Sequence, residues 1–422
     1  MSTAPTRSGF SSSTRIWPRF RQRRANRWAL RMLYGLLFLA LFADFLANEK
    51  PLYCQFDEQT YWPIFRDYGV RMGLLAPIGE LERTNWLTRD YQAVVRAPIP
   101  YSPGTIDRRN MRALGPFAKQ RVRSWRFRHW MGTDELGKDV AAGLVHGTRT
   151  ALLVGLVAMT VAALIGIFFG GLAGYFGDDR LKWPRRRFWF FGVGLLPWLF
   201  WGWIAPAPWI FGESLIGRIM WIAGLFIALI GLSLWIVPDR EGQIRRSWPI
   251  DFGVMRLIEV MNAIPALMLL LAIVATLERS SLLLVMAIIG AIRWTGIARF
   301  VRAELLRIRD QHYIEAARVL GLSERQILFR HALPNGLRPV FITIAFGISG
   351  AILLEAFLSF LGIGLPADAV TWGTLLNKIK TNTSAWWLAL FPGMAIFITV
   401  TIFNLIGEGL TEAMGNDPAT NA

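Results

Sequence analysis

Eight stretches of this sequence are apolar over roughly the length of a helix that crosses a bilayer: residues 29–47, 150–174, 188–211, 215–237, 257–277, 282–300, 339–361 and 387–407. A hydrocarbon core about 30 Å thick needs about 20 apolar residues at a rise of about 1.5 Å each. Inside lipid each backbone N–H and C=O must find its partner within the protein, so such runs fold as helices. The chain is 54% hydrophobic with a mean hydropathy of +0.38, and the excess sits in these runs. The expected fold class is therefore all-α, a polytopic membrane protein with about eight transmembrane helices. The first run is longer than a secretory h-region and is followed by no small-x-small cleavage site, so it reads as an uncleaved anchor.

Charge sets the orientation. The net charge is +17. A basic face on a soluble domain would suggest nucleic acid, but here the arginines flank apolar runs, which argues against it. Tail 1–28 has seven arginines and no acid, and segments 176–187, 238–256 and 299–338 carry five, four and eight basic residues. The opposite short loops hold only Arg279, Lys378 and Lys380. Lys and Arg accumulate on the cytoplasmic side, so both termini are expected there. Segment 48–148 is then external; it is too long for its own 15 basic residues to enter that rule. The Ser/Arg-rich tail before Trp17 is expected to be disordered. One cysteine, Cys54, excludes an intrachain disulfide, and His129, His146, His312 and His331 show no metal-ligand spacing.

Segment 305–337 is the informative loop. It reads Glu315-Ala316-Ala317, three residues, Gly321, nine residues, then His331-Ala332-Leu333-Pro334-Asn335. Residues 299–320 continue a helix out of the membrane, and Gly321 can end it in a left-handed cap. Ser323 with Gln326 forms a capping-box pattern for a second short helix, which Pro334 is expected to close. Two short helices at a glycine elbow suit insertion into a partner's groove. Local physics leaves an ordinary basic loop equally open.

The spacing resembles the EAA loop of permeases of binding-protein-dependent ABC importers, and it matches at each of those positions. His331 with Leu333-Pro334-Asn335 resembles the oligopeptide/dipeptide C-type branch. So do His129-Trp130-Met131-Gly132-Thr133-Asp134-Glu135-Leu136-Gly137-Lys138-Asp139-Val140, Gly147-Thr148-Arg149-Thr150, Leu358-Ser359-Phe360-Leu361-Gly362-Ile363-Gly364 and Phe403-Asn404-Leu405-Ile406-Gly407-Glu408-Gly409-Leu410. Residues 47–101 are similar to the exported segment of Yej-type peptide permeases. The resemblance covers 129–178 and 252–418. It implies a MetI-like permease domain at 149–415 and a path for peptides. It also implies coupling through Glu315, Ala316, Ala317, Gly321, His331, Leu333, Pro334 and Asn335 to two separate ATPase subunits. Those subunits would bind ATP and magnesium, so this chain needs no cofactor or metal. A second, B-type permease and an extracytoplasmic solute-binding protein complete the expected assembly, in a bacterial inner membrane. Close relatives with the same motifs carry metal chelates and other small solutes, so the cargo stays open.

The family has six helices, whereas this chain has about 75 additional residues between Asp178 and Phe252, an inserted hairpin at 180–250. It is either a lipid-facing ornament or a surface for another membrane subunit. Gly132 to Lys138 reads G-x-x-x-x-G-K, but Asp139 stands where a P-loop has Ser or Thr, and Asp134 and Glu135 would repel phosphate. A membrane enzyme would need a clustered acid, base or nucleophile, and a secondary transporter inverted repeats with mid-bilayer carboxylates. Neither pattern stands out. Asp44, Glu259, Arg293, Glu355 and Glu408 lie in or beside the runs, most within a turn or two of a predicted end. A mid-bilayer charge costs about 2.5–3.5 kcal/mol, so each is a functional candidate. Glu355 and Pro265 are the candidates for the transport path. The charge asymmetry predicts that a fluorescent protein fused at the C-terminus glows in cells and that alkaline phosphatase inserted near residue 120 is active. The opposite pair of signals would invert the topology.

Overall fold

A computed structural model of the chain describes residues 13–56, 58–76, 79, 85–180, 182–200, 215–236, 245–276, 281–364, 366 and 369–415. The described residues are mostly helical and fall into two compact units. One comprises those up to Ile167 with Met261–Phe300 and those from Asn335 onward; the other comprises Phe168–Val260 and Val301–Pro334.

In the first unit, helix α1 (Ser13–Gln22) occupies part of the tail expected to be disordered. Residues 1–12 lie outside the described residues. The helix forms because Phe20 is buried and its carbonyl accepts the Asn26 amide at 3.0 Å. An Arg23–Glu412 ion pair at 2.5 Å also holds this end of the chain. Helix α2 (Arg24–Leu41) and the short α3 (Ala43–Leu46) cover the expected anchor at 29–47. Arg24, Arg27 and Arg31 place charge in the first half of α2.

The described part of segment 48–148 holds a small antiparallel sheet with strand order β2–β1–β3, where β1 is Tyr53–Phe56, β2 Gln59–Tyr61 and β3 Ala93–Val95; α4 (Pro63–Arg71) follows β2. Cys54, Phe56 and Trp86 form its core. Burial pushes the Cys54 thiol up to about 11.

Helix α5 (Val140–Phe176) begins ten residues before the expected 150. The reason is Asp139, whose Oδ1 accepts the Ala142 N–H at 2.7 Å and caps the helix. Helices α9 (Ala266–Ala275), α10 (Leu282–Arg309) and α14 (Val340–Leu361) pack with α5 around Val154, Leu270, Met286 and Leu358. Helix α15 (Trp372–Asn377) and α16 (Trp387–Gly415) close a second core at Trp372, Ile352 and Phe403.

In the second unit, α6 (Arg185–Leu199) and α7 (Leu215–Ile236) form the described part of the inserted hairpin; residues 201–214 lie outside the described residues. Trp198 Nε1 donates to the Ile222 carbonyl at 3.1 Å. Strands β4 (Lys182–Pro184) and β5 (Arg245–Ser247) pair antiparallel and clamp the hairpin's base. Helix α8 (Ile250–Ala263) follows, and its Asp251 chelates the Arg302 guanidinium through both carboxylate oxygens.

Among the described residues, α5, α10, α14 and α16 are each long and apolar enough to cross a membrane. The expected continuous span at 257–277 is instead two helices, α8 and α9, with an 80° bend between them. Pro265 has no N–H to continue the ladder and disfavours helical backbone at Ile264. With that pair taken as one span the number reaches five. Helix α2, at 29–47, does not reach the same length and apolarity; at 215–237 the described residues hold a shorter apolar stretch, Met220–Ser233, and residues 201–211 of the run at 188–211 lie outside the described residues.

His129, with a fully buried side chain, lies between two carboxylates, Asp139 Oδ2 at 2.7 Å from Nδ1 and Asp107 Oδ2 at 3.3 Å from Nε2. Burial by itself lowers the histidine pKa, but the bonds and charges of Asp139 and Asp107 outweigh it and raise it above 6.5. Burial opposes ionisation of Asp107, yet its bonds from Asn110, the Arg109 N–H and His129 hold it below 3.8. The His129 contribution is complete below its unfolded pKa and is lost as pH rises through the raised folded one. That of Asp107 is complete above its unfolded pKa and is lost as pH falls through the depressed one. Resistance of segment 48–148 to limited proteolysis should therefore be greatest between about pH 4 and 6.5. His129→Gln should remove the loss on the alkaline side and cost about 3 kcal/mol. An unchanged profile would refute this account.

Candidate functional site

The loop read from sequence is built in the second unit as two short helices at an elbow. Helix α11 (His312–Val319) carries Glu315, Ala316 and Ala317. Ile314 and Ala317 point inward and are buried, while Glu315 and Ala316 are exposed. Glu315 lies 3.7 Å from His312 on the same surface. The helix ends in a Schellman motif: Gly321 N–H reaches the Arg318 carbonyl at 2.9 Å and Leu322 N–H the Ala317 carbonyl at 3.2 Å. Gly321 has φ +80°, where a side chain costs about 1–2 kcal/mol.

Ser323 then caps α12 (Glu324–Ile327), and the full capping box with Gln326 is present. The side chain of Glu324 accepts from Tyr175 and, at 3.0 Å, from Arg318 Nε. Burial works against its ionisation, but these two bonds and the Arg318 charge hold its pKa below 4.5. The second short helix is thereby tied to the first and to α5.

Pro334 does not close that helix. The chain stays helical through a wide π turn at Leu328–Ala332 and into α13 (Leu333–Gly336). The Leu333 N–H bonds the Leu328 carbonyl, five residues back, just ahead of a proline that offers no N–H. Pro334 is exposed; His331, Leu333 and Asn335 are half-buried. Sequence reasoning had not singled out the apolar surface beside the elbow: Val319 is 88%, Leu320 80% and Phe329 67% exposed. The signal was available, since Val319 and Leu320 precede the glycine and Phe329 follows eight residues on, in a charged loop.

In the first unit, a cavity of about 430 Å³ opens at the break before α9. Pro265 lines it, with Asn262, Arg293 and Thr295. Glu355 does not; it is 1% exposed, and its carboxylate accepts from Ser359 Oγ at 2.5 Å and from Thr371. It is partnered inside the bundle and sits apart from that cavity.

The Gly132–Lys138 loop is closed on itself. Asp134 Oδ1 accepts the Lys138 N–H at 2.7 Å, its Oδ2 pairs with Lys378 at 2.5 Å, and its carbonyl accepts the Gly137 N–H. A carboxylate thus occupies the space where a phosphate-binding loop needs free N–H groups.

Four helices long and apolar enough to cross a membrane, among the described residues, define a polytopic membrane protein. Residues 229–416 match the family described as binding-protein-dependent transport system inner membrane component. The chain is 28% identical over 408 residues to the inner membrane ABC transporter permease protein YejE of Escherichia coli (strain K12), covering 96% of each. It is 28% identical to the peptidoglycan transport system permease protein YejE of Agrobacterium fabrum, covering 97% of this chain and 94% of that one. A putative peptide transport system permease of Brucella suis biovar 1 is 37% identical over 215 residues, 49% of this chain and 72% of the relative. The chain belongs to this family, and it is a multi-pass inner-membrane permease subunit of an ATP-binding-cassette importer.

The elbow yields a graded prediction. A Cβ at Gly321 meets no atom within 4 Å, so Gly321→Ala strains only the backbone. Proline fixes φ near −65° and cannot adopt the native conformation. With equal amounts in the membrane, pull-down of ATPase subunits should fall a few-fold for Gly321→Ala and to background for Gly321→Pro. Retention by the proline variant would refute the role of the elbow.

Proposed function

We propose that the cargo is peptide and that segment 305–337 is the handle by which separate ATPase subunits drive this permease. The observation that carries the reading is the exposed apolar surface of Val319, Leu320 and Phe329 around a rigid, capped elbow. Exposed apolar groups on a polar loop mark a protein contact. The charge count favours the cytoplasmic side for this loop and for both termini. ATP binding and dimerisation of two ATPases would pull on α11 and α12 here and on the equivalent loop of a second, B-type permease. Glu315 would meet the ATPase groove. The Glu324–Arg318–Tyr175 bonds would carry the motion to α5 without slack.

ATP and magnesium would be held by those partners. The self-closed Gly132–Lys138 loop supports this, because it offers no cradle for phosphate. An extracytoplasmic binding protein would deliver the cargo to the external segment. Peptide is favoured because the relatives are named for dipeptide, oligopeptide, peptide or peptidoglycan transport. The Pro265 break opens the bundle where a path is needed, while Glu355 acts as internal packing.

Proteoliposomes holding the four-subunit complex should take up labelled peptide only with binding protein outside and ATP inside. Uptake without ATP that collapses with an ion gradient would overturn the reading. Truncating Val319 and Leu320 together to Ala should lower ATPase co-purification at least tenfold.

A further inference from the structure

The cavity at the Pro265 break holds a charge that nothing among the described residues balances. Arg293 lies eleven residues beyond the start of α10. At about 1.5 Å per residue that is about 16 Å in, near the middle of a core about 30 Å thick. The sequence had suggested that most such charges sit near helix ends, where they can snorkel to water; Arg293 does not. Among the described residues it forms no ion pair or hydrogen bond, and the cavity it lines contains no carboxylate. Asp44 and Glu324, by contrast, each pair with an arginine.

The fold makes room for this guanidinium. A Cβ on Gly350 of α14 would lie 2.1 Å from Arg293 Nη2. The missing side chain at Gly350 thus leaves the space on α14 that the Arg293 guanidinium occupies. The rest of the wall suits an acceptor-rich ligand. Thr295 Oγ1 donates to Asn262 Oδ1 at 3.1 Å, which leaves the Asn262 amide N–H groups for another partner. Ala266, the first residue of α9, also lines the cavity, and no side chain caps that helix start. Arg299 adds a second positive charge at the rim.

We propose that Arg293, with Asn262 and the start of α9, forms a carboxylate subsite in the translocation path. It would bind the C-terminal or side-chain carboxylate of the passing peptide. Arginine matches a carboxylate bidentately, with a geometry that an ammonium does not offer. The cargo's own charge thus offsets the intramembrane cation during passage, and the subsite would favour acidic over neutral ligands. The inference rests on the peptide reading above.

The test uses proteoliposomes with the complete complex and two probes, Ala-Ala-Ala and its C-terminal amide, each saturating the binding protein. Wild type should transport the free acid about tenfold faster than the amide. Arg293→Gln should bring that ratio to about one, by slowing the acid, while the ATPase response to loaded binding protein stays normal. Arg293→Lys should keep a reduced preference. Gly350→Ala, which displaces the guanidinium, should resemble Arg293→Gln. A wild-type ratio near one, or a preference unchanged in Arg293→Gln, overturns the subsite. Loss of the second permease from Arg293→Gln preparations also overturns it, because the arginine then pairs with that subunit. ATP-coupled uptake of neither peptide sinks the peptide reading itself, and the subsite with it.

Discussion

The carboxylate of Asp139 serves two elements at once. One oxygen caps α5 at the Ala142 N–H, and the other takes the Nδ1 hydrogen of His129. The cap decides where the longest helix starts. The histidine, held on its other side by Asp107, ties that start to the loop before it. Trp387 extends the same anchor, since its Nε1 donates to the Thr133 carbonyl at 3.1 Å. Segment 48–148 is therefore fastened to the starts of α5 and α16 by buried polar bonds, which are strong where water is excluded. The bundle below inherits its helix start from this cluster.

The elbow at Gly321 is governed by a different economy. Its two helices are too short to persist alone in water. They hold because their ends are satisfied by the Schellman bonds, the Ser323 box and the Glu324 network, and because Ile314, Ala317 and Ile327 are buried beneath. What remains outside is apolar and presented at a fixed angle. The proposed coupling role needs both properties, a stiff base and a surface that gains from being covered.

The legible parts were those where a local rule acts alone. Glycine at a helix end and the Ser323–Gln326 spacing need only the backbone, and both are present as read. Apolar runs located the spans at 282–300 and 339–361, because burial in lipid depends on length and composition. Three features turn on how a local rule is answered by its surroundings, and there the structure departs from the expectation. Phe20 orders a tail that its composition marks as unfavourable to structure. Pro334 sits inside a helix because a wide turn ahead of it absorbs the missing N–H. The run at 257–277 is broken, since Pro265 acts on a helix whose lost bonds a cavity wall can tolerate.

Sequence alone determined the helical membrane class and the capped elbow at Gly321, for these follow from hydropathy and spacing along one chain. Tertiary structure decided which intramembrane charges are paired. Glu355 finds Ser359 and Thr371, whereas Arg293 faces a cavity across from Gly350. No periodicity distinguishes the two residues. Pairing depends on which helices meet, and that is set by packing between segments far apart in the chain.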